Sequence, residues 1–255
     1  MLKIQTFGNK THITDLLIVH GLFGSGRNWR AIARNISSDR QVHVVDMRNH
    51  GESFWNADNS YESMAEDLKK IITSLKSSVD VLGHSMGGKA SMILAINNPD
   101  LVNRLLIVDI APTKYQHDQS INISIMKNLP IDDLTRRSDA DLILKKTLSD
   151  DALRAFFLQS LIISPNGNSW QLNLDALDKN MDKIIGFPDV SGQFNGMTFF
   201  LKGELSNYIS DKDLPNINLL FPRNKIITIK NAGHWVHAEA TRDFLISVKE
   251  YLSGS

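Results

Sequence analysis

The stretch 79-VDVLGHSMGGKASMILAI-96, from Val79 to Ile96, places a serine between a short apolar run and a helix-like run, with glycine on both sides. Glycine weakens any regular element it occupies, and no ordinary cap residue explains Gly83, Gly87 and Gly88 crowded at a helix start. Together they describe a strand, an abrupt turn, Ser85 and then a helix. Ser85 is therefore either a turn residue or a nucleophile held on a strained turn. The spacing Gly83-His84-Ser85-Met86-Gly87 matches G-x-S-x-G, whose glycines clear space so that a serine Oγ stands above a sheet. The flanking strand and helix signals are the context that motif requires.

Outward from this point, short β-rich runs recur and most are followed by helical patterns. The runs are Leu16–His20, Val42–Asp46, Val79–Gly83, Arg104–Ile110, Met197–Gly203 and Lys225–Gly233. Nearly continuous apolar strands alternating with helices predict a mostly parallel sheet covered on both faces. Helices are expected around Asn28–Asn35, Tyr61–Leu75, Lys89–Asn97 and Thr241–Leu252, and LKIQTF as an antiparallel edge hairpin before the first strand. The rhythm breaks after Pro112. From there to Gln193 the sequence shows almost no strand signal and four amphipathic helical patterns, SINISIMKNL, DADLILKKTL, DALRAFFLQSLII and DALDKNMDKIIGF. The expected architecture is an α/β core formed by residues 1–112 and 194–255, interrupted by a helical cap over residues 113–193.

The composition fits a globular chain of 255 residues, 42% apolar and 22% charged. Lys plus Arg and Asp plus Glu both number 28, giving zero formal net charge, so no field of one sign points to nucleic acid or to an anionic membrane as partner. The absence of Cys excludes disulfides, thiolate metal sites and a cysteine nucleophile. The first residues carry no continuous apolar h-region and no window has the length of a membrane helix. The expectation is a cytoplasmic protein, monomeric or a small homo-oligomer, acting on a small molecule.

Ligands of open parallel sheets bind at the C-terminal ends of the strands. His20, Asp46, Ser85, Asp109 and His234 all fall there. A serine nucleophile needs a base, and His234, in NAGHW before the last helix, has the place expected of one. His237 forms H-x-x-H with it, a poor metal pair without further ligands. His12, His43 and His117 have no supporting motif and read as surface or packing residues. His84 is fixed inside the elbow without a role.

The acid must orient the imidazole and stabilise its charged form. Asp109 ends an apolar strand, where an unpartnered carboxylate is costly. Glu204, in the loop Gly203-Glu204-Leu205-Ser206-Asn207-Tyr208, is the alternative, while Asp211 and Asp213 read as caps. For a developing oxyanion, Met86 N–H is one donor. Leu22 N–H, in HGLFGSGRNW, is the other, with Phe23 as its alternative. The same loop lacks the G-K-[ST] ending of a phosphate cradle. Asp46 and Arg48 are read as a pair shaping their own loop, and Lys89 as an orienting or surface charge. Phe156, Phe157 and Trp170 line either an acyl pocket or the cap's own core.

These segments in order, VHGLFGS, VDMRNHGES, GHSMGGKA, VDIAP, GELSNYI and NAGHWVHAE, resemble the α/β-hydrolase fold family. Within it they are most similar to the bacterial YbfF-type esterases and their eukaryotic abhydrolase-domain relatives. The resemblance covers nearly the whole chain. It implies Ser85 as nucleophile, His234 as base and Asp109 as acid, with Ser206 at the position where many relatives carry the acid. It further implies a helical cap and hydrolysis of carboxylic acyl esters, with acyl-CoA thioesters as a second class; no cofactor or metal is expected. Phe23, Phe156, Phe157, Trp170, Ser206 and Trp235 are the residues expected around the substrate. A perhydrolase, a C–C bond hydrolase and a non-turnover ligand-binding relative remain as alternatives on the same triad. Glu204, where the late loop departs from Gly-Gly, adds a carboxylate near the site.

Overall fold

The computed structural model describes residues 1–116 and 119–254, so His117 lies outside the described residues. Its strands are β1 (Ile4–Phe7), β2 (Leu16–Val19), β3 (Val42–Val45), β4 (Val79–His84), β5 (Val102–Val108), the short pair β6 (Leu161–Ile162) and β7 (Ser169–Trp170), then β8 (Met197–Gly203) and β9 (Asn224–Ile229). The seven-stranded sheet runs β1-β3-β2-β4-β5-β8-β9 and is parallel except for β1. β1 pairs antiparallel with β3 rather than with the strand that follows it, so LKIQTF is an edge strand and not half of a hairpin.

The strands read as apolar runs because both faces are covered. Along β2, Leu16 and Ile18 enter one core with Trp29, Phe244 and Val248, while Leu17 and Val19 enter the other with Leu68, Ile72 and Ile93. All four are fully buried, each worth about 1.5–3 kcal/mol relative to exposure. The first core is closed by α1 (Arg30–Ile36) and the chain's last helix, Thr241–Ser253. The second is closed by α2 (Tyr61–Leu75) and α3 (Met86–Asn97). Helix α2 carries a clear apolar stripe and begins at Ser60, whose Oγ accepts from Ser63 N–H. Helix α3 is buried on every side from Met86 to Ile96, as a helix behind a sheet and beneath a further layer must be.

Between β5 and β8 lie α4 (Ser120–Lys127), α5 (Arg137–Leu144), α6 (Asp151–Leu158), α7 (Leu174–Lys179) and α8 (Met181–Ile185). Two expectations need correction here. The pattern DALRAFFLQSLII leaves the helix after Leu158 and its Leu161–Ile162 pairs with Ser169–Trp170 in a hairpin; DALDKNMDKIIGF is two helices that break at Asn180. Later in the chain come α9 (Leu214–Leu220), which the pattern reading did not find, α10 (Val236–Glu239) and α11 (Thr241–Ser253).

The inserted segment is fastened to the loops beyond the strand ends by polar bonds. Tyr61 Oη–H donates to Ile184 O at 2.6 Å, Ser160 Oγ–H to Phe23 O at 3.2 Å, and Asn28 Nδ2–H to Gln159 Oε1 at 2.7 Å. Buried Lys89 donates to Thr113 O, Ile185 O and Gly186 O at 2.8, 3.0 and 2.5 Å. One ammonium thus grips the start and the end of the segment. Burial lowers it from the ordinary lysine range to about 7. Among the described residues no helix is long and apolar enough to cross a membrane.

The elbow glycines are required by close approach. A Cβ on Gly87 would lie 2.3 Å from His20 O and 2.6 Å from Val19 O, and one on Gly83 would lie 2.6 Å from Gly87 O. Those atoms are backbone and cannot step aside. Gly87→Ala is expected to cost at least about 2 kcal/mol by overpacking, read as a fall in thermal midpoint. An unchanged midpoint would show that β2 and α3 are not in this contact.

Candidate active site

Ser85 sits between β4 and α3 with φ 52° and ψ −121°, a conformation few non-glycine residues tolerate, at a cost on the order of 1–3 kcal/mol. The backbone is held on both sides: Ser85 N–H donates to Val108 O at 3.1 Å, and Ser85 O accepts from Lys89 N–H at 3.1 Å. Its Oγ lies 3.0 Å from His234 Nε2. The opposite ring nitrogen, Nδ1, lies 2.7 Å from Asp109 Oδ2, which assigns the proton on Nδ1 and leaves Nε2 to accept from the serine hydroxyl.

Asp109 follows β5 at φ 50° and is wholly buried. Burying a carboxylate is tolerable only with donors around it. Here Oδ1 accepts from Gly203 N–H at 3.0 Å, and Oδ2 accepts from Ser206 Oγ–H at 2.5 Å as well as from His234. Ser206 thus stands against the aspartate and not on the cavity wall, where it was expected. Glu204 is exposed and accepts from Asn231 N–H at 2.9 Å, bracing the turn after β9 from outside.

Leu22 and Met86 both border the cavity above Ser85, and neither backbone N–H donates to another group among the described residues. Phe23 N–H is already engaged by His50 Nε2 at 3.2 Å, which sets the alternative donor aside. The loop carrying Leu22 is splinted by two histidines. His20 donates from Nδ1 to Gly21 O at 2.8 Å and accepts at Nε2 from Met47 N–H at 2.9 Å; His50 donates from Nδ1 to Arg48 O at 2.9 Å. Burial pushes His20 down to about 4 and His50 to about 3, so both stay neutral and keep one donor and one acceptor.

His84 is the third such link. Its Nε2–H donates to His234 O at 2.9 Å, and a Cβ on Gly21 would lie 2.8 Å from its Nδ1. Burial holds His84 well below the ordinary histidine value. His237 stacks on Trp29 at 4.0 Å between ring centroids, and burial lowers it to about 3. Glu239 accepts from Gly233 N–H at 2.7 Å and Trp235 N–H at 3.1 Å, fixing the peptide on either side of His234. Spacing alone did not reveal these bracing roles; the available signals were His beside Ser85 and Glu five residues after His234.

Asp46 and Arg48 do not pair. Asp46 accepts from Gly26 N–H at 2.6 Å and Glu52 N–H at 2.8 Å, while Arg48 Nε donates to Asp67 at 2.7 Å. His43, on the interior strand β3, is buried and bonded to Thr6 of the edge strand β1, and His12 is exposed. The cavity of about 300 Å³ is bordered by Phe23, Phe156, Phe157 and Trp235, and by Tyr208, which the sequence reading did not single out. Trp170 is elsewhere: its Nε1–H donates to Met126 O at 3.2 Å inside the helical segment's own core, so it is a packing residue.

A parallel sheet with its reactive side chains gathered on one rim beneath a helical layer is the architecture of an α/β hydrolase. The family model for the alpha/beta hydrolase fold matches residues 15–241. The chain belongs to that family and is, within it, an enzyme of the carboxylic ester hydrolase class. It is 39% identical to the mouse (Mus musculus) sn-1-specific diacylglycerol lipase ABHD11, over 93% of this chain and 80% of that one. It is 30% identical to esterase YbfF of Escherichia coli, over 99% and 98%. The solved structure of a marine microorganism esterase superposes with a TM-score of 0.92 at 38% identity, covering 98% of each chain.

The acid assignment is open to a direct comparison. Ser206→Ala removes a hydrogen bond to a buried charge, a loss of about 1.5–3 kcal/mol, and is expected to lower kcat about tenfold, with Glu204→Gln within about twofold of wild type. A fully active Ser206→Ala beside an inactive Glu204→Gln would move the acid to Glu204.

Proposed function

We propose that the chain is a serine esterase that hydrolyses small carboxylic acyl esters through a covalent acyl-enzyme. The observation that carries this reading is the unbroken relay from buried Asp109 through His234 to Ser85, at 2.7 and 3.0 Å. His234 Nε2 takes the Ser85 proton as Oγ attacks the acyl carbonyl carbon. The resulting oxyanion lies between Leu22 and Met86 N–H, whose freedom from other acceptors among the described residues supports that role; each such donor contributes on the order of 3 kcal/mol. The tetrahedral intermediate collapses as imidazolium returns the proton to the leaving alcohol. Water, deprotonated by the same imidazole, then attacks the acyl carbon, and the imidazolium returns that proton to Ser85 Oγ as the acid is released.

The helical segment 113–193 acts as a cap in this reading, with Phe156 and Phe157 facing the acyl chain and Trp235 and Phe23 closing the wall. A cavity of about 300 Å³ stands at the small end of ligand pockets, and its aromatic lining favours short, uncharged acyl groups. Acyl-CoA thioesters are a second substrate class for the same chemistry, since the thiolate leaves from the same intermediate.

A fluorophosphonate probe on wild type, Ser85→Ala and Asp109→Asn, followed by a p-nitrophenyl ester chain-length series, tests the reading. Labelling is expected at Ser85 alone. Turnover should fall by about 10⁶ in Ser85→Ala and about 10⁴ in Asp109→Asn, the latter through the wrong imidazole tautomer. A folded wild type that resists the probe would overturn the serine mechanism and favour a ligand-binding role.

A further inference from the structure

The loop Gly203–Tyr208 does more than hold Asp109. Two residues after Ser206, the Tyr208 ring lies flat on the His234 imidazole, with centroids 3.9 Å apart and planes at 21°. The stack is fixed from behind. Tyr208 N–H donates to Ser206 Oγ at 3.2 Å, Tyr208 O accepts from Tyr115 Oη–H at 2.7 Å, and the two tyrosine rings lie 5.1 Å apart. One short loop therefore delivers a hydroxyl to the acid and an aromatic face to the base.

We infer that Tyr208 is a positioning residue that acts through His234, its ring face stabilising the imidazolium formed when Ser85 gives up its proton. The inference rests on the triad assignment proposed above. An aromatic face carries negative quadrupole charge and attracts a cation lying over it. The neutral imidazole gains dispersion from the stack; the imidazolium gains the same dispersion plus the electrostatic attraction. Only the second contribution differs between ground state and transition state, so it raises kcat rather than lowering KM.

The surroundings suit this role. Burial raises the Tyr208 phenol to about 12, so the ring facing His234 stays neutral. Among the described residues, Asp109 is the anion bonded to the His234 ring. His84, 4.8 Å away between centroids, and His237 beyond it are held neutral by burial and add no repulsion at neutral pH. Glu239 is engaged by the backbone at Gly233 and Trp235, and Lys89 stands over Tyr115, one ring removed.

The test compares Tyr208→Leu with Tyr208→Phe, and then with mono- to trifluorinated phenylalanines at position 208, in the full chain. The ester is a short p-nitrophenyl ester, and folding is checked by thermal midpoint. Tyr208→Leu is expected to lose about 3- to 30-fold in kcat, with its acidic pH–rate limb about 0.5 to 1.5 units lower. KM should stay within about twofold, as for an interaction made only in the transition state. Tyr208→Phe keeps the face and should keep kcat and the limb. Fluorination drains the face without removing the ring, so kcat should decline stepwise along that series even if Tyr208→Leu fails to fold. A flat series, a loss confined to KM, or Tyr208→Phe as impaired as Tyr208→Leu would overturn the inference. Fluorophosphonate labelling of wild type at Ser85 separates these outcomes from a failure of the triad itself: labelled protein with a flat series sinks only the role of Tyr208.

Discussion

Everything at this site depends on the backbone of Ser85 being forced into a conformation it would not choose. At φ 52° and ψ −121° the residue stores strain on the order of 1–3 kcal/mol, and it persists because its surroundings leave no alternative. Its N–H is pinned to Val108 of the neighbouring strand. Behind it Gly87 lies against the His20 and Val19 carbonyls so closely that no side chain fits. The parallel sheet supplies that rigidity: β2, β4 and β5 are buried on both faces, so the elbow cannot relax without disturbing two cores at once. The strain buys a hydroxyl that projects from the rim rather than packing in a helix.

The second design element is the use of buried, neutral histidines as splints. His20, His50 and His84 each join loops that approach Ser85 from different strands. An imidazole can donate at one nitrogen and accept at the other only while neutral, and burial secures that state well below neutral pH. Neutrality also matters for electrostatics, because a charged His84 beside His234 would oppose the imidazolium that the proposed mechanism requires. His234 is in turn fixed by Asp109, by the peptides that Glu239 grips and by the stacked Tyr208. In the proposed mechanism, an imidazole held from so many directions has little reorganisation left to do when the proton moves.

Much of this was legible in the sequence. The apolar strands, the break after Pro112, the elbow glycines and the reactive residues at strand ends all follow from local pattern, because burial on two faces and close backbone approach leave direct marks on residue choice. Strand pairing leaves none, and so β1 was given the wrong partner. The hairpin of β6 and β7 was missed although Pro165-Asn166-Gly167 marks a turn, because the helical pattern before it ran on into Leu161 and Ile162. Helix α9 escaped because LPNINLL is short and begins with proline in its first turn. Sequence pattern leaves Trp170 between an acyl pocket and the cap's own core and puts Ser206 at the usual acid position. Their actual partners, Met126 O and Asp109, lie 44 and 97 residues away, which no local period reports. Tyr208 and the splinting histidines were missed for the same reason.

The proposed mechanism requires Ser85 to become acylated, and this is read from the intact mass of the enzyme quenched in acid milliseconds after mixing with a p-nitrophenyl ester. A mass gain equal to one acyl group is expected, mapped by peptide digestion to Ser85, appearing with the nitrophenolate burst and absent from Ser85→Ala. Steady turnover with no acylated species, or an acyl group on a residue other than Ser85, would contradict it.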